Sequence, residues 1–162
     1  MERRNFIKSL VAVSAVAVTT PMMAKEEVAK EEAKKTAPKG PNDMPYDVAL
    51  KAIVGDKEVK DSDKITLSVP EIAENGAVVP VKVEVDSPMT EKEYVKAIHV
   101  LNSKNSNARC ADTMLTPANG KGYFGTRVKL SETQEVVAVV ELSDGTFMKK
   151  GKSIKVTIGG CG

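Results

Sequence analysis

Apolar side chains recur at every second position in two stretches: Ile65, Leu67 and Val69, then Val79, Val81, Val83 and Val85 with Lys82 and Glu84 between them. Successive side chains of an extended chain point to opposite faces, so this alternation predicts strands with one face in a core and one in water. Residues 94–101, 109–115, 123–130, 135–142, 146–149 and 153–158 follow as further strand candidates. Ahead of them the period is helical. Tyr46, Ala49, Leu50 and Ile53 share one helix face, with Asp43 placed to cap the start and Gly55 to stop it. Asn75-Gly76, Asn119-Gly120 and Asp144-Gly145 supply turns whose glycines can take positive φ. So many short strands at this spacing predict an all-β domain over residues 44–158, an immunoglobulin-like β-sandwich with a short N-terminal helix and a flexible C-terminal tail at 159–162. Neither an internal repeat nor a second domain is expected.

Two segments carry more apolar residues than a one-sided strand needs. Val136-Val137-Ala138-Val139-Val140 is apolar on both faces, and Ala77-Val78-Val79-Pro80-Val81 is similar beside a proline that belongs at an edge or bulge. One face fills the sandwich; the other needs cover from a partner subunit, from the helix or from a long loop.

The N-terminus changes the picture of where the chain works. Arg3-Arg4 stands ahead of Phe6, Ile7 and Lys8, and an apolar run over residues 10–18 follows, the form of a twin-arginine export signal. That run is too short to span a bilayer of roughly 30 Å. Cleavage is expected after Ala24, giving a signal at 1–24, and no cysteine lies nearby to take a lipid, so the mature protein is expected to be soluble and periplasmic. Residues 25–43 alternate Lys, Glu and Ala before a Pro- and Gly-containing stretch, the composition of a solvated linker. The whole chain carries 24 basic and 22 acidic residues. Loss of Arg3, Arg4, Lys8 and Glu2 with the signal leaves the two signs balanced, which excludes the electrostatic footprint of a nucleic-acid binder.

Candidate chemistry is sparse and concentrated at one end. His99 is the single histidine and falls on a strand face with Val95, Ala97 and Leu101, the setting of a structural imidazole rather than a base. The cysteines are Cys110 and Cys161, too few with one histidine to make a four-ligand zinc site, and no phosphate-cradling glycine loop follows a strand. No metal or cofactor is expected. Cys161 sits among Gly159, Gly160 and Gly162. Glycine roams φ/ψ space freely, so this tail reads as thin and mobile, able to carry a sulfur about 10 Å past the last strand. It supplies no helix N-terminus or neighbouring cation to activate the thiol, which is expected to stay protonated at neutral pH. Two readings remain from these residues: a thiol delivered to other proteins, or a structural disulfide between Cys110 and Cys161 in a binding module.

A set of motifs spread over nearly all of the mature domain resembles the SoxY family, sulfur-carrier subunits of the thiosulfate-oxidising Sox system. These are the Arg3-Arg4 signal, residues 70–81 from Pro70 to Val81, Ser87-Pro88-Met89-Thr90, Ile98-His99-Val100-Leu101, residues 116–121, and Lys155-Val156-Thr157-Ile158-Gly159-Gly160-Cys161-Gly162. The family tail commonly closes with two glycines after the cysteine and this one shows one; Cys110 lies outside the shared motifs. The resemblance implies that Cys161 is the covalent attachment point for sulfur. Gly159, Gly160 and Gly162 are then the flexible arm, and the carrier catalyses nothing itself. It implies three enzyme partners: a c-type cytochrome that joins thiosulfate to the thiol, a hydrolase that releases sulfate, and a sulfur dehydrogenase. It also implies a heterodimer with a SoxZ-like subunit, exported folded.

Overall fold

The computed structural model describes residues 43–160. The signal at 1–24, nearly all of the 25–43 linker, Cys161 and Gly162 lie outside the described residues. A helix, α1 (Tyr46–Val54), precedes nine strands: β1 (Val59–Asp61), β2 (Ile65–Ser68), β3 (Ile72–Asn75), β4 (Val79–Val85), β5 (Val95–Asn102), β6 (Arg109–Met114), β7 (Gly122–Val128), β8 (Gln134–Leu142) and β9 (Phe147–Ile158). β2, β4 and β7 form a three-stranded antiparallel sheet. The larger sheet runs β1-β9-β8-β5-β6, with β3 also paired to β9. The two sheets make the β-sandwich that the alternating pattern predicts.

Each sheet contributes one apolar face to the main core. β4 is the simplest case: Val79, Val81, Val83 and Val85 are buried while Pro80, Lys82 and Glu84 are exposed. Opposite them stand Ile98 and Val100 of β5, Val136, Ala138 and Val140 of β8, Ile154 of β9, and Leu130 from the β7–β8 connection. Each such Val, Leu or Ile side chain contributes about 1.5–3 kcal/mol of hydrophobic stabilisation.

A second core covers the other face of the larger sheet. Leu101, Val137, Val139 and Phe147 pack with Ala49 and Val54 of α1, and with half-buried Tyr46, Leu50 and Ile53. The doubly apolar β8 is therefore covered from within the chain, and its second face is not open to a partner. In the other two-faced segment Val79 and Val81 are buried but Val78 remains 60% exposed.

Several details differ from the sequence pattern. Pro45, not Asp43, precedes the first helical residue, and it gives no side-chain cap; Gly55 does end the helix, with φ 63° and its N–H donated to Lys51 O. Gly120 and Gly145 have positive φ as their turns require, but Gly76 does not. The two strands expected at 146–149 and 153–158 are one strand of 12 residues, because pairing with β8 continues through Gly151 opposite Val137. β1 and β3 carry no clear alternation and are held by parallel pairing along the outer edge of β9, Val59–Asp61 at its start and Ile72–Asn75 at its end.

Candidate functional site

β9 leads to the cysteine-bearing segment, and its last residues leave the shelter of the sandwich. Ile158 is 67% exposed although Val156, two residues earlier, packs against the main core. Here β8 has ended, and β3 supplies the remaining ladder, pairing Ile72 with Lys155, Ala73 with Val156 and Asn75 with Ile158. On the other side the Val156 N–H donates to Thr133 Oγ1 at 3.0 Å.

Beyond Ile158 the glycines enter a slot between two connections, the β3–β4 turn at Gly76-Ala77 and the β7–β8 loop at Leu130-Ser131. Three backbone hydrogen bonds close it. Gly76 N–H donates to Ile158 O at 2.7 Å, Leu130 N–H to Gly76 O at 2.7 Å, and Gly160 N–H to Leu130 O at 2.9 Å. The slot is too narrow for side chains. A Cβ on Gly76 would stand 2.2 Å from Leu130 O, one on Gly159 2.1 Å from Ser131 O, and one on Gly160 2.6 Å from Ala77 N. The obstacles are backbone atoms, which cannot swing aside as a flexible side chain would.

Gly159 and Gly160, expected to be free arm, are thus seated against the domain, and close approach accounts for glycine there without any appeal to flexibility. The backbone is held to Gly160, so Gly159 and Gly160 lie on the domain rather than adding to the reach. Gly76, read from sequence as a turn glycine, belongs to this site for the same reason of space. Leu130 and Ser131 were not foreseen at all, and no local pattern around them marks the role. Asn75 Oδ1 accepts the Ala77 N–H at 2.8 Å and shapes the opposite wall.

Among the described residues, the clustered reactive side chains lie elsewhere, at the β5–β6 edge of the larger sheet. His99 is 7% exposed, stands opposite Asp112 in the ladder and bonds to its carboxylate through Nδ1. Arg109 Nε donates to the other carboxylate oxygen at 2.7 Å. Burial works to raise the Asp112 pKa, but the His99 and Arg109 hydrogen bonds outweigh it and hold the carboxyl below its usual range. His99 is the structural imidazole that alternation suggested. Val95, however, joins the main core rather than the face of His99, because the β5–β8 pairing shifts between Val95 and Ala97.

Cys110 sits where the β5–β6 register shifts, between Val100 and Leu101. It is a free, half-buried thiol that accepts from Asn102 Nδ2 at 3.0 Å and donates to Ala108 O. Burial pushes its pKa up, which makes it a poor nucleophile. Among the described residues no group of three or more His, Cys, Asp or Glu side chains could hold a metal ion, and no helix is long and apolar enough to cross a membrane.

Comparison with known proteins gives the family and the fold. No curated protein matches the sequence. A structural match is the sulfur carrier protein SoxY from Chlorobium limicola f thiosulfatophilum, 30% identical, covering 69% of this chain and 96% of that one with a TM-score of 0.59. Superoxide reductases share the fold alone: the Ignicoccus hospitalis enzyme is 15% identical over 57% of this chain and 80% of its own, TM-score 0.52, and the Nanoarchaeum equitans enzyme 10% identical over 60% and 100%, TM-score 0.51. The family described as "Sulfur oxidation protein SoxY" matches residues 50–161, from α1 through the slot to Cys161, and the chain belongs to that family.

Proposed function

We propose that this protein is a covalent carrier of sulfur intermediates in thiosulfate oxidation, loaded on Cys161 and acted on by separate enzymes. The observation that carries the reading is the slot: the chain is anchored by backbone alone up to Gly160, immediately before the cysteine that the family match includes. The anchoring segment brings no side chain that could act as acid, base or metal ligand. Chemistry on Cys161 is then supplied from outside, and the other thiol is half-buried and bonded.

In the first step the Cys161 thiol and thiosulfate join through a new S–S bond, releasing one proton and two electrons to a c-type cytochrome partner. A hydrolase then adds water across the terminal S–S bond, releasing sulfate and leaving a persulfide on the cysteine. A sulfur dehydrogenase then oxidises the outer sulfur of that persulfide to a sulfonate with three waters, releasing seven protons and passing six electrons to a c-type cytochrome, and the hydrolase can release this sulfonate as a second sulfate. The carrier works in the periplasm after twin-arginine export, paired with a SoxZ-like subunit. Because α1 covers the outer face of β8, that subunit must use another surface. The exposed Ile72, Val78 and Ile158 near the slot are apolar contact points that the fold leaves open.

Intact-mass analysis of the protein from thiosulfate-grown cells tests the reading. Sulfur-containing adducts on the peptide bearing Cys161 are the expected result. A dominant Cys110–Cys161 disulfide without adducts would instead identify a disulfide-stapled binding module.

A further inference from the structure

The acceptor for Gly160, the Leu130 carbonyl, lies in a loop that, besides the burial of Leu130 itself, is gripped by one side chain from another part of the chain. Asn105, in the β5–β6 connection, grips this loop on both sides of Leu130. Its Nδ2 donates to Lys129 O at 2.8 Å, while its Oδ1 accepts from Ser131 N–H at 3.0 Å and Ser131 Oγ at 2.9 Å. Ser131 is also the residue whose carbonyl closes the space over Gly159.

Asn105 is itself held by two buried amides. Gln134 Nε2 donates to Asn105 Oδ1 at 2.7 Å, and Asn105 N–H donates to Asn102 Oδ1 at 3.0 Å. Asn102 and Gln134 are buried, and Lys104 N–H occupies Gln134 Oε1 at 2.8 Å. Moving Asn105 would leave buried polar groups unpaired, so the clamp is stiff.

We propose that Asn105 is a positioning residue for the carrier arm: by fixing Lys129-Leu130-Ser131 it seats Gly159-Gly160 and so sets the point from which the chain continues to Cys161. The proposal rests on the carrier reading for its purpose and on the slot for its mechanism. Asn105→Asp keeps the acceptor oxygen but turns an oxygen toward Lys129 O where a donor stood, so the grip opens on one side.

Amide hydrogen exchange, read residue by residue on the full mature chain by NMR, tests it. In Asn105→Asp the Gly160 and Leu130 amides are expected to exchange at least about tenfold faster, while Val100 and Val136 in the main core stay within about twofold of wild type. Unchanged protection at Gly160, or a loss shared equally by the core amides, overturns the proposal. Should Asn105→Asp not fold, Asn105→Ser is read in the same way; loss of fold in both variants makes Asn105 a residue of general stability and also overturns it. The exchange measurement does not use the thiol. A wild-type protein that never loads sulfur on Cys161 therefore sinks the carrier reading while leaving the Asn105 result to stand.

Discussion

The glycine slot and the β5–β6 edge are opposites in how they use side chains. At the edge His99, Asp112, Arg109 and Cys110 gather the groups that enzymes use for chemistry, yet each is engaged by a neighbour within the fold. The slot has no reactive side chain and is built from backbone amides and missing Cβ atoms. Clustered titratable groups are thus a poor guide to the working part of this protein. On the proposed carrier reading the segment before Cys161 has to be slender and chemically silent, and the slot meets that requirement by close backbone contact.

The comparison breaks first at the thiol. Cys161→Ser should abolish all sulfur adducts in intact-mass spectra while the exchange pattern around Gly76 and Leu130 remains that of wild type; residual loading would move the attachment point elsewhere. Next, Gly76→Ala forces a methyl against Leu130 O and should cost about 1–3 kcal/mol in urea unfolding, with faster exchange at Gly160. A variant as stable as wild type would show that the slot has room to spare.

At the other region the effects should be on stability alone. Asp112→Ala leaves the buried His99 without its acceptor and should cost about 1–2 kcal/mol, with undiminished adduct yield. The pH dependence has a defined sign. The folded Asp112 pKa lies below the unfolded value of about 3.9, so its contribution is present above about pH 4 and is lost as pH falls through the depressed folded value. Asp112→Asn should therefore flatten the acid limb of the stability curve. The smallest effect belongs to Cys110. Cys110→Ala should leave loading unchanged, and in Cys161→Ser the remaining thiol should alkylate slowly, its rate rising only at pH above the usual cysteine range, as its raised pKa requires.

Strands with one wet face were legible because alternation is a local property: β2 and β4 fall almost where the pattern puts them. β3 was not, since Ile72-Ala73-Glu74-Asn75 has only Ala73 buried and owes its extended form to β9, far along the chain. The cover over β8 was an open choice in sequence, because an apolar face states that something must bury it but not what. Cys161 and its glycines stood out by composition. What the composition could not convey is that Gly76, Leu130 and Asn105 meet the glycines in space, since each looks like an ordinary turn or loop residue in its own neighbourhood. A sequence reader sees glycine as freedom; only tertiary contact reveals it as absence of volume.

The parallel pairing of β3 with the end of β9 also has a mechanical side. A pull on the chain beyond Gly160 would run along β9 and load the β3 bonds beside it together in shear rather than open them one after another. The slot bonds at Gly160 and Gly76 stand ahead of that ladder and would meet such a pull first. The β3–β9 ladder thus forms a firm stop behind the short slot contact.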